Sequence, residues 1–518
     1  MSTPHAKASS AGAGLVLAGM TLANAMILVD QTAVPLTLPE IMRSFDIGAT
    51  EVQWVLTASL LPLAGLLVLG GRLGDVLGRR RVFLAGAVLF ASASAAAGLA
   101  PDFYFLVAAR VVQGAGGALM LPCSVAIVSS TYSDEQRGRA LGTMGGIAAV
   151  AGAFGPTIGG VLTSAISWRA VLLVNVPIAA VCVFVALRSV PADDSSEGSN
   201  AKHIDVLGGA LLCAALVGLV LGLTQTQTEP LQQLEVIVPL AVAVSATILF
   251  VRRERRARQP LMELSLLRRS PDYLGATLSQ GLAGIAEMGL GVLFPALLIL
   301  NLEMDPALAG LALIPTTVPM IILAPVAGRW YDRVGGKTPL AMGFAVLAAA
   351  GVALAIGVQE AEYAAMLPGL LLYGIGLALV LTVNDPVSLD MVPVADQGQA
   401  SGVSATAEQG GGAIGIALLT VLFHTAYIDR LRSLVDESPL PDLDDRTATA
   451  LKDSLERAEQ TGLNPDHFDP SLFDYLSPAQ SASEFGFAVA FLTVSVVALV
   501  GLVVVLRLVR RKSELPAP

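Results

Sequence analysis

The chain has 518 residues, 54% of them apolar and 14% charged, with a mean hydropathy of +0.71 and a formal charge of −10. Soluble domains carry about 25% charged residues, so this composition excludes a globular protein in water. It predicts an all-α polytopic membrane protein.

Fourteen apolar runs follow one another, centred near residues 25, 61, 91, 115, 151, 178, 214, 243, 286, 318, 349, 377, 413 and 497. Each is about 20 residues long or more, enough to cross a hydrocarbon core of roughly 30 Å. Nothing alternates with period two, which argues against membrane strands. The first run has no signal-peptide cleavage pattern and is read as a retained helix. Two runs exceed a single span and predict tilt or kinks.

The second run ends in GRLGDVLGRRR, from Gly71, and the tenth ends in GRWYDRVGGK, from Gly328. Gly71, Arg72, Asp75, Gly78 and Arg80 align with Gly328, Arg329, Asp332, Gly335 and Lys337. A charged, glycine-flanked turn repeated half a chain apart points to a duplicated bundle, an organisation common among transporters that rock about a central site. Residues 1–190 are then a first six-helix bundle and 271–518 a second, with an inserted pair of helices and their linkers in 191–270. Glycines permit tight bends and close helix approach. Asp75 can accept from arginines or from a helix N-terminus, while Arg79 and its neighbours hold the turn near anionic lipid. Gly71, Arg72, Asp75, Gly78, Arg79, Arg80, Gly328, Asp332 and Gly335 are therefore candidates for a conformational switch. A channel is disfavoured, because such a hinge serves moving bundles rather than a fixed pore.

Basic residues set the orientation. Of 31 lysines and arginines, 23 fall in the N-terminus, the even-to-odd loops and the C-terminal tail, seven fall in the opposite loops, and Arg110 lies inside a span. Both termini are expected to be cytoplasmic, in a multi-pass protein of the cell membrane. The segment 429–484 holds 13 acidic residues against 5 basic ones and falls on the opposite side. This acidic loop, 427–484, reads as a solvated surface containing a surface helix, or as a docking face for an extracytoplasmic partner.

Ionisable groups inside spans cost at least about 2.5–3.5 kcal/mol each, which marks them as candidates for function. Asp30 in span 1 and Arg110 in span 4 lie at similar depth and can pair. Glu287, in span 9, has no basic residue within a turn, which makes it a candidate proton carrier or counter-charge for a cationic substrate, or else a protonated carboxyl satisfied by a backbone carbonyl. Asp385, beside Asn384, and Glu408, beside Gln409, lie nearer the cytoplasmic side. The glycines of QGAGG (Gly114) and GPTIGG (Gly155, Gly159, Gly160) let helices pack closely, with Pro156 adding a kink. Cys123, Cys182 and Cys213 show no CxxC spacing, and the four histidines are scattered, so no metal is expected. The chain shows no nucleotide loop, nucleophile–base arrangement or soluble domain, which argues against an enzyme, a sensor or a nucleic-acid binder.

GRLGDVLGRRR resembles the signature loop of the major facilitator superfamily. LVDQTAVPLTLPEI (28–41) is similar to the first-helix motif of its fourteen-helix drug:proton antiporters. VQWVLTASLL, RVVQGAGGALMLP, GPTIGG, WRAVLLVNVP, DPALAGLALIP and QASGVSATAEQGGGAIG resemble further stretches of that family, so the likeness covers nearly all of the chain outside the acidic loop. Two positions depart from the pattern, Pro35 standing where Asn is usual and Ser59 where Tyr is usual, and the glycine usual a few residues before GPTIGG is displaced by one.

The resemblance implies a proton-coupled multidrug exporter of amphiphilic or cationic drugs and dyes, with Asp30 and Arg110 in proton coupling. Protons would be the coupling ion and no cofactor is implied; the protein is expected to be monomeric and to contact membrane lipid. The same architecture also suits export of an endogenous lipid or secondary metabolite.

Overall fold

A computed structural model describes residues 10–191, 205–227, 231–257, 267, 270–390, 392, 397–437 and 470–510. The core of the acidic loop, 438–469, with its expected surface helix and partner face, lies outside the described residues. All described regular structure is helical. Thirteen helical stretches are long and apolar enough to cross a membrane, and a fourteenth crossing is a helix pair bent by 41°.

The chain opens with α1 (Ser10–Ala33), a single 3-10 turn at Val34–Thr37, and α2 (Leu38–Phe45). Pro35 and Pro39 explain the break, since neither can donate a backbone hydrogen bond in a continuous helix. After α3 (Ala49–Val52) come α4 (Trp54–Leu77), α5 (Arg79–Gly98) and α6 (Phe103–Thr131). The bent crossing is α7 (Asp134–Ala153) followed by α8 (Gly155–Ala165), which breaks at Phe154, just before Pro156. The first half ends with α9 (Trp168–Leu173) and α10 (Asn175–Ser189).

Next come α11 (Val206–Gln225) and α12 (Leu234–Glu254), which pack on each other. Of the two, α11 also meets α4. The second half comprises α13 (Pro271–Ala296), α14 (Pro306–Ala312), α15 (Ile314–Val334), α16 (Lys337–Gly357), α17 (Tyr363–Asp390), α18 (Gln397–Glu437) and α19 (Leu476–Leu508). One apolar cluster draws on residues 16–190 and a second, apart from Leu36, on 276–509.

Both repeated turns place the aligned glycine at positive φ, Gly78 at 101° and Gly335 at 81°. A positive-φ glycine therefore joins α4 to α5 and α15 to α16. Each turn is also fastened to the end of a later helix. Arg79 donates to the Ala126 carbonyl of α6 at 3.4 Å, while Tyr331 donates to Asp390 of α17. Arg79 further grips Asp75 at 3.0 Å, an exposed pair worth a few tenths of a kcal/mol. Arg80 reaches the Leu187 carbonyl of α10 at 2.8 Å.

At the end of the molecule away from these turns, the two halves meet. A Cβ added at Gly160 of α8 would stand 2.1 Å from the Pro306 carbonyl oxygen, and one at Gly310 of α14 would stand 2.6 Å from that of Pro156. Ser164 donates to Asp305 at 2.8 Å and accepts from the Ala307 amide at 3.0 Å, so it completes the N-terminus of α14 from the other half. A third apolar cluster seals this end with Leu56 and Leu60 of α4, Val220 of α11, Met288 and Val292 of α13, and Ala413 and Ile416 of α18. Toward the turns, Gly142, Gly145 and Gly146 of α7 and Gly328 of α15 have no neighbour within Cβ reach.

An L-residue held at positive φ costs roughly 1–2 kcal/mol. Gly78→Ala and Gly335→Ala should each lower the thermal unfolding midpoint in detergent. Gly14→Ala, at an open helical site, should not lower it.

Candidate functional site

The site begins with backbone contact between α4 and α6. A Cβ at Gly114 would lie 2.1 Å from the Ser59 carbonyl oxygen, so the two helices touch there. One turn earlier on each helix, Arg110 faces Val55. Its Nε donates to the Val55 carbonyl at 2.8 Å and its Nη2 to Ser59 Oγ at 2.7 Å. Ser59, one of the departures from the family pattern, is thus a direct partner of the buried guanidinium. Its own proton goes to the Leu56 carbonyl at 2.9 Å.

Arg110 Nη1 binds Asp30 Oδ2 at 2.7 Å and Gln113 Oε1 at 2.7 Å. The arginine has 0% exposure and the aspartate 4%. Asp30 Oδ1 accepts from Gln113 at 3.0 Å and from Asn175 of α10 at 2.8 Å. Ser94 of α5 accepts from Asn175 at 3.1 Å and donates to the Leu172 carbonyl at 2.8 Å. Five spans therefore meet around one ion pair. Both carboxylate oxygens and three guanidinium nitrogens are satisfied, the condition under which a buried pair survives its desolvation. Charge cost singles out Asp30 and Arg110 in the sequence. Gln113, Asn175 and Ser94 carry no such signal.

The remaining intramembrane carboxylates gather in the second half. Gln280 of α13 donates to Glu408 Oε2 of α18 at 2.5 Å. Glu287, without a basic neighbour along the chain, is not isolated in space: close packing of α13 on α18 brings Glu408 within electrostatic reach of it. Glu408 in turn feels Asp385 of α17. Ser404 approaches Asp385 at 3.5 Å, and Asn384 accepts from Ser279 at 2.5 Å. Glu287 and Glu408 are half-buried, while Asp385 is exposed although protein surrounds it, as suits a group lining an internal cavity. Among the described residues no three His, Cys, Asp or Glu side chains come close enough to hold a metal ion.

One hydrogen bond joins the two groups across the halves. Gln31, next to Asp30, donates to Gln409, next to Glu408, at 2.9 Å, and both glutamines are buried.

The other candidate residues sit as follows. Gly155 and Gly159 back onto α1, where added Cβ atoms would meet Thr32 and Ala33, while Gly160 faces α14 of the other half. Gly71 makes only ordinary contact with Pro122. The glycines that let α4 touch α6 near the turn are Gly70, 2.1 Å from the Ala118 carbonyl oxygen by an added Cβ, and Gly74, 2.6 Å from Cys123 Sγ. Arg72 is half-buried and Asp75 exposed.

Two sets of long apolar helices, a duplicated glycine turn and charges buried between helices define a polytopic transporter fold. The chain matches the Major Facilitator Superfamily over residues 20–416 and belongs to that superfamily. It is similar to the tetracenomycin C resistance and export protein of Streptomyces glaucescens, at 33% identity over 94% of this chain and 90% of the relative. It is also similar to the cephamycin export protein CmcT of Amycolatopsis lactamdurans, at 34% over 80% and 85%, and to the multidrug resistance protein Stp of Mycobacterium tuberculosis, at 33% over 76% and 73%. Among solved structures, an inward-facing, unoccupied bacterial homologue of the human lysosomal transporter Spinster shares the fold, with a TM-score of 0.63 and 15% identity over 98% of this chain and 100% of that one. The chain is thus a multi-pass membrane transporter related to drug and antibiotic efflux pumps, and not an enzyme.

Removing one partner of a buried ion pair costs about 3–5 kcal/mol, because a charge is left uncompensated. Arg110→Leu should therefore destabilise the protein by that order. Adding Asp30→Asn to Arg110→Leu should recover much of the loss in a double-mutant cycle read by thermal unfolding.

Proposed function

We propose that the chain is a proton-driven exporter of amphiphilic or cationic drugs and dyes that works by alternating access. Residues 1–190 and 271–518 would be the rocking bundles, with 191–270 as an inserted pair. The observation that carries this reading is the Gln31–Gln409 hydrogen bond, which ties the Asp30–Arg110 pair of one half to the Glu408 group of the other. A proton taken up at Asp30 or Glu408 would change the charge one residue away from the bond that spans the interface between bundles. A ligand shifts such an equilibrium only through differential affinity for its states.

The turn-bearing end is assigned to the cytoplasm by its basic residues. The Gly160–Pro306 contact and the apolar cluster above Glu287 then form the outer barrier. Opening that barrier requires Ser164 to release Asp305 and Ala307, and the two repeated turns are the proposed switch elements. The names of the relatives support export of drug-like compounds. Those named for tetracenomycin C and cephamycin export favour a second reading, in which the cargo is an endogenous secondary metabolite.

The test is reconstitution in liposomes that enclose a pH dye. An imposed ethidium gradient should drive proton movement with the wild type and not with Asp30→Asn. Equal proton flux in the two proteins removes Asp30 from coupling. Silence with ethidium but flux with tetracenomycin C selects the second reading.

A further inference from the structure

The seam between α13 and α18 is built from glycines against carbonyls. Added Cβ atoms at Gly284, Gly411 and Gly415 would lie 2.2, 2.2 and 2.3 Å from the carbonyl oxygens of Glu408, Gly281 and Ile285. Backbones this close carry Gln280, Glu287 and Glu408 along one flank of the seam, immediately below the apolar cluster that holds Met288 and Ala413.

On Gln280 and Glu287 the hydrogen-bonding capacity left over is acceptor, while the Asn384 amide of α17, bonded to Ser279 through its oxygen, keeps a buried NH2 with no partner among the described residues. Gln280 is 2% exposed and points its amide NH2 at the Glu408 carboxylate, which fixes the amide orientation and leaves Oε1 turned away. That Oε1 is buried and accepts nothing from the described residues. Glu287 Oε2 is likewise buried and unpartnered. From the other half, Gln31 spends its NH2 on Gln409 and leaves its own Oε1 buried without a donor. Buried polar atoms are normally satisfied, so unpartnered acceptors on residues that neighbour carboxylates call for a ligand with N–H donors.

Two alternatives fit less well. The carboxylates are not gathered tightly enough for a metal ion. Quaternary ammonium groups are held by open aromatic faces. Here Tyr373 packs edge-on against Phe294 at 5.4 Å, and its hydroxyl is committed to the Glu287 carbonyl at 3.3 Å.

We propose that Gln280, Glu287 and Glu408, completed by Gln31 of the opposite half, form a binding site for an N–H-bearing cation, a primary ammonium or guanidinium group, in preference to a quaternary one. This deepens the exporter reading and rests on it. The carboxylates supply the counter-charge, and the amide oxygens read the N–H bonds that a trimethylated nitrogen lacks. Because Gln31 belongs to the other bundle, occupation of the site would also bear on the Gln31–Gln409 bridge.

The test is isothermal titration calorimetry on the full-length protein in lipid nanodiscs, with phenylbutylammonium, its N,N,N-trimethyl derivative and the neutral phenylbutanol. The primary ammonium should bind about tenfold or more tightly than the trimethyl compound, the scale of one or more hydrogen bonds to a charged group. Gln280→Met should bring the two affinities together, and Glu287→Gln should weaken both. Equal affinities in the wild type, or tighter binding of the trimethyl compound, would overturn the proposal and leave an exporter that senses charge alone. Phenylbutanol binding as well as either cation would overturn the cationic reading itself. Binding of none of the three would overturn the site.

Discussion

A guanidinium with no exposure in a membrane protein has to be held on every side, and most of the first half is arranged to hold Arg110. Its charge is met by Asp30 from α1, its remaining donors by Ser59, Val55 and Gln113, and the far oxygen of Asp30 by Asn175. No one of these contacts suffices, because the desolvation of two ions is offset only when nearly all their hydrogen-bonding capacity is used. The demand fixes the relative positions of α1, α4, α5, α6 and α10. It also explains why a glycine sits at position 114: only without a side chain can α6 come close enough for Arg110 to reach the α4 carbonyl.

The second half is built on different terms. Its seam of Gly281, Gly284, Gly411 and Gly415 gives van der Waals contact at backbone distance, the main source of helix association where lipid is as apolar as leucine. Asp272 at the start of α13 pairs with Arg510 at 2.7 Å, but Glu287, Glu408 and Asp385 have no cation among their described partners; they meet amides, hydroxyls and one another. A satisfied charge pair in one half thus faces a group of carboxylates and amides with unused polar atoms in the other, and a glutamine–glutamine bond spans the gap. On the proposed reading this asymmetry divides the labour, with the first half suited to storing a charge and the second to receiving one from a ligand.

The ends of the molecule are asymmetric too. Ser164 caps a helix that belongs to the opposite half, and Gly160 and Gly310 allow α8 and α14 to touch. Small residues, the hydroxyls of Ser164 and Thr157, and an apolar cluster shared by both halves make this contact. Most of each half's own core lies elsewhere.

The crossings were legible from the sequence because spanning a hydrocarbon core demands long apolar runs, a local property of the chain. The duplicated turn was legible for a similar reason: Gly78 and Gly335 share a positive φ, which favours glycine wherever it occurs. Asp30 and Arg110 stood out because charge in an apolar run is costly in any context. Gln113, Asn175, Ser94, Gln280 and Gln31 did not, since neutral amides and hydroxyls are cheap enough in spans to pass without notice. Their importance lies in which helix each faces, as does that of Gly70 and Gly74 beside the more conspicuous Gly71. Glu287 shows the limit most clearly. Along the chain it has no charged neighbour, yet the packing of α13 on α18 sets Glu408 within reach of it. The sequence alone determined what must cross the membrane and which charges needed partners. Only the tertiary structure decided who those partners are, because electrostatic and hydrogen-bonding energies depend on distance in space rather than separation along the chain.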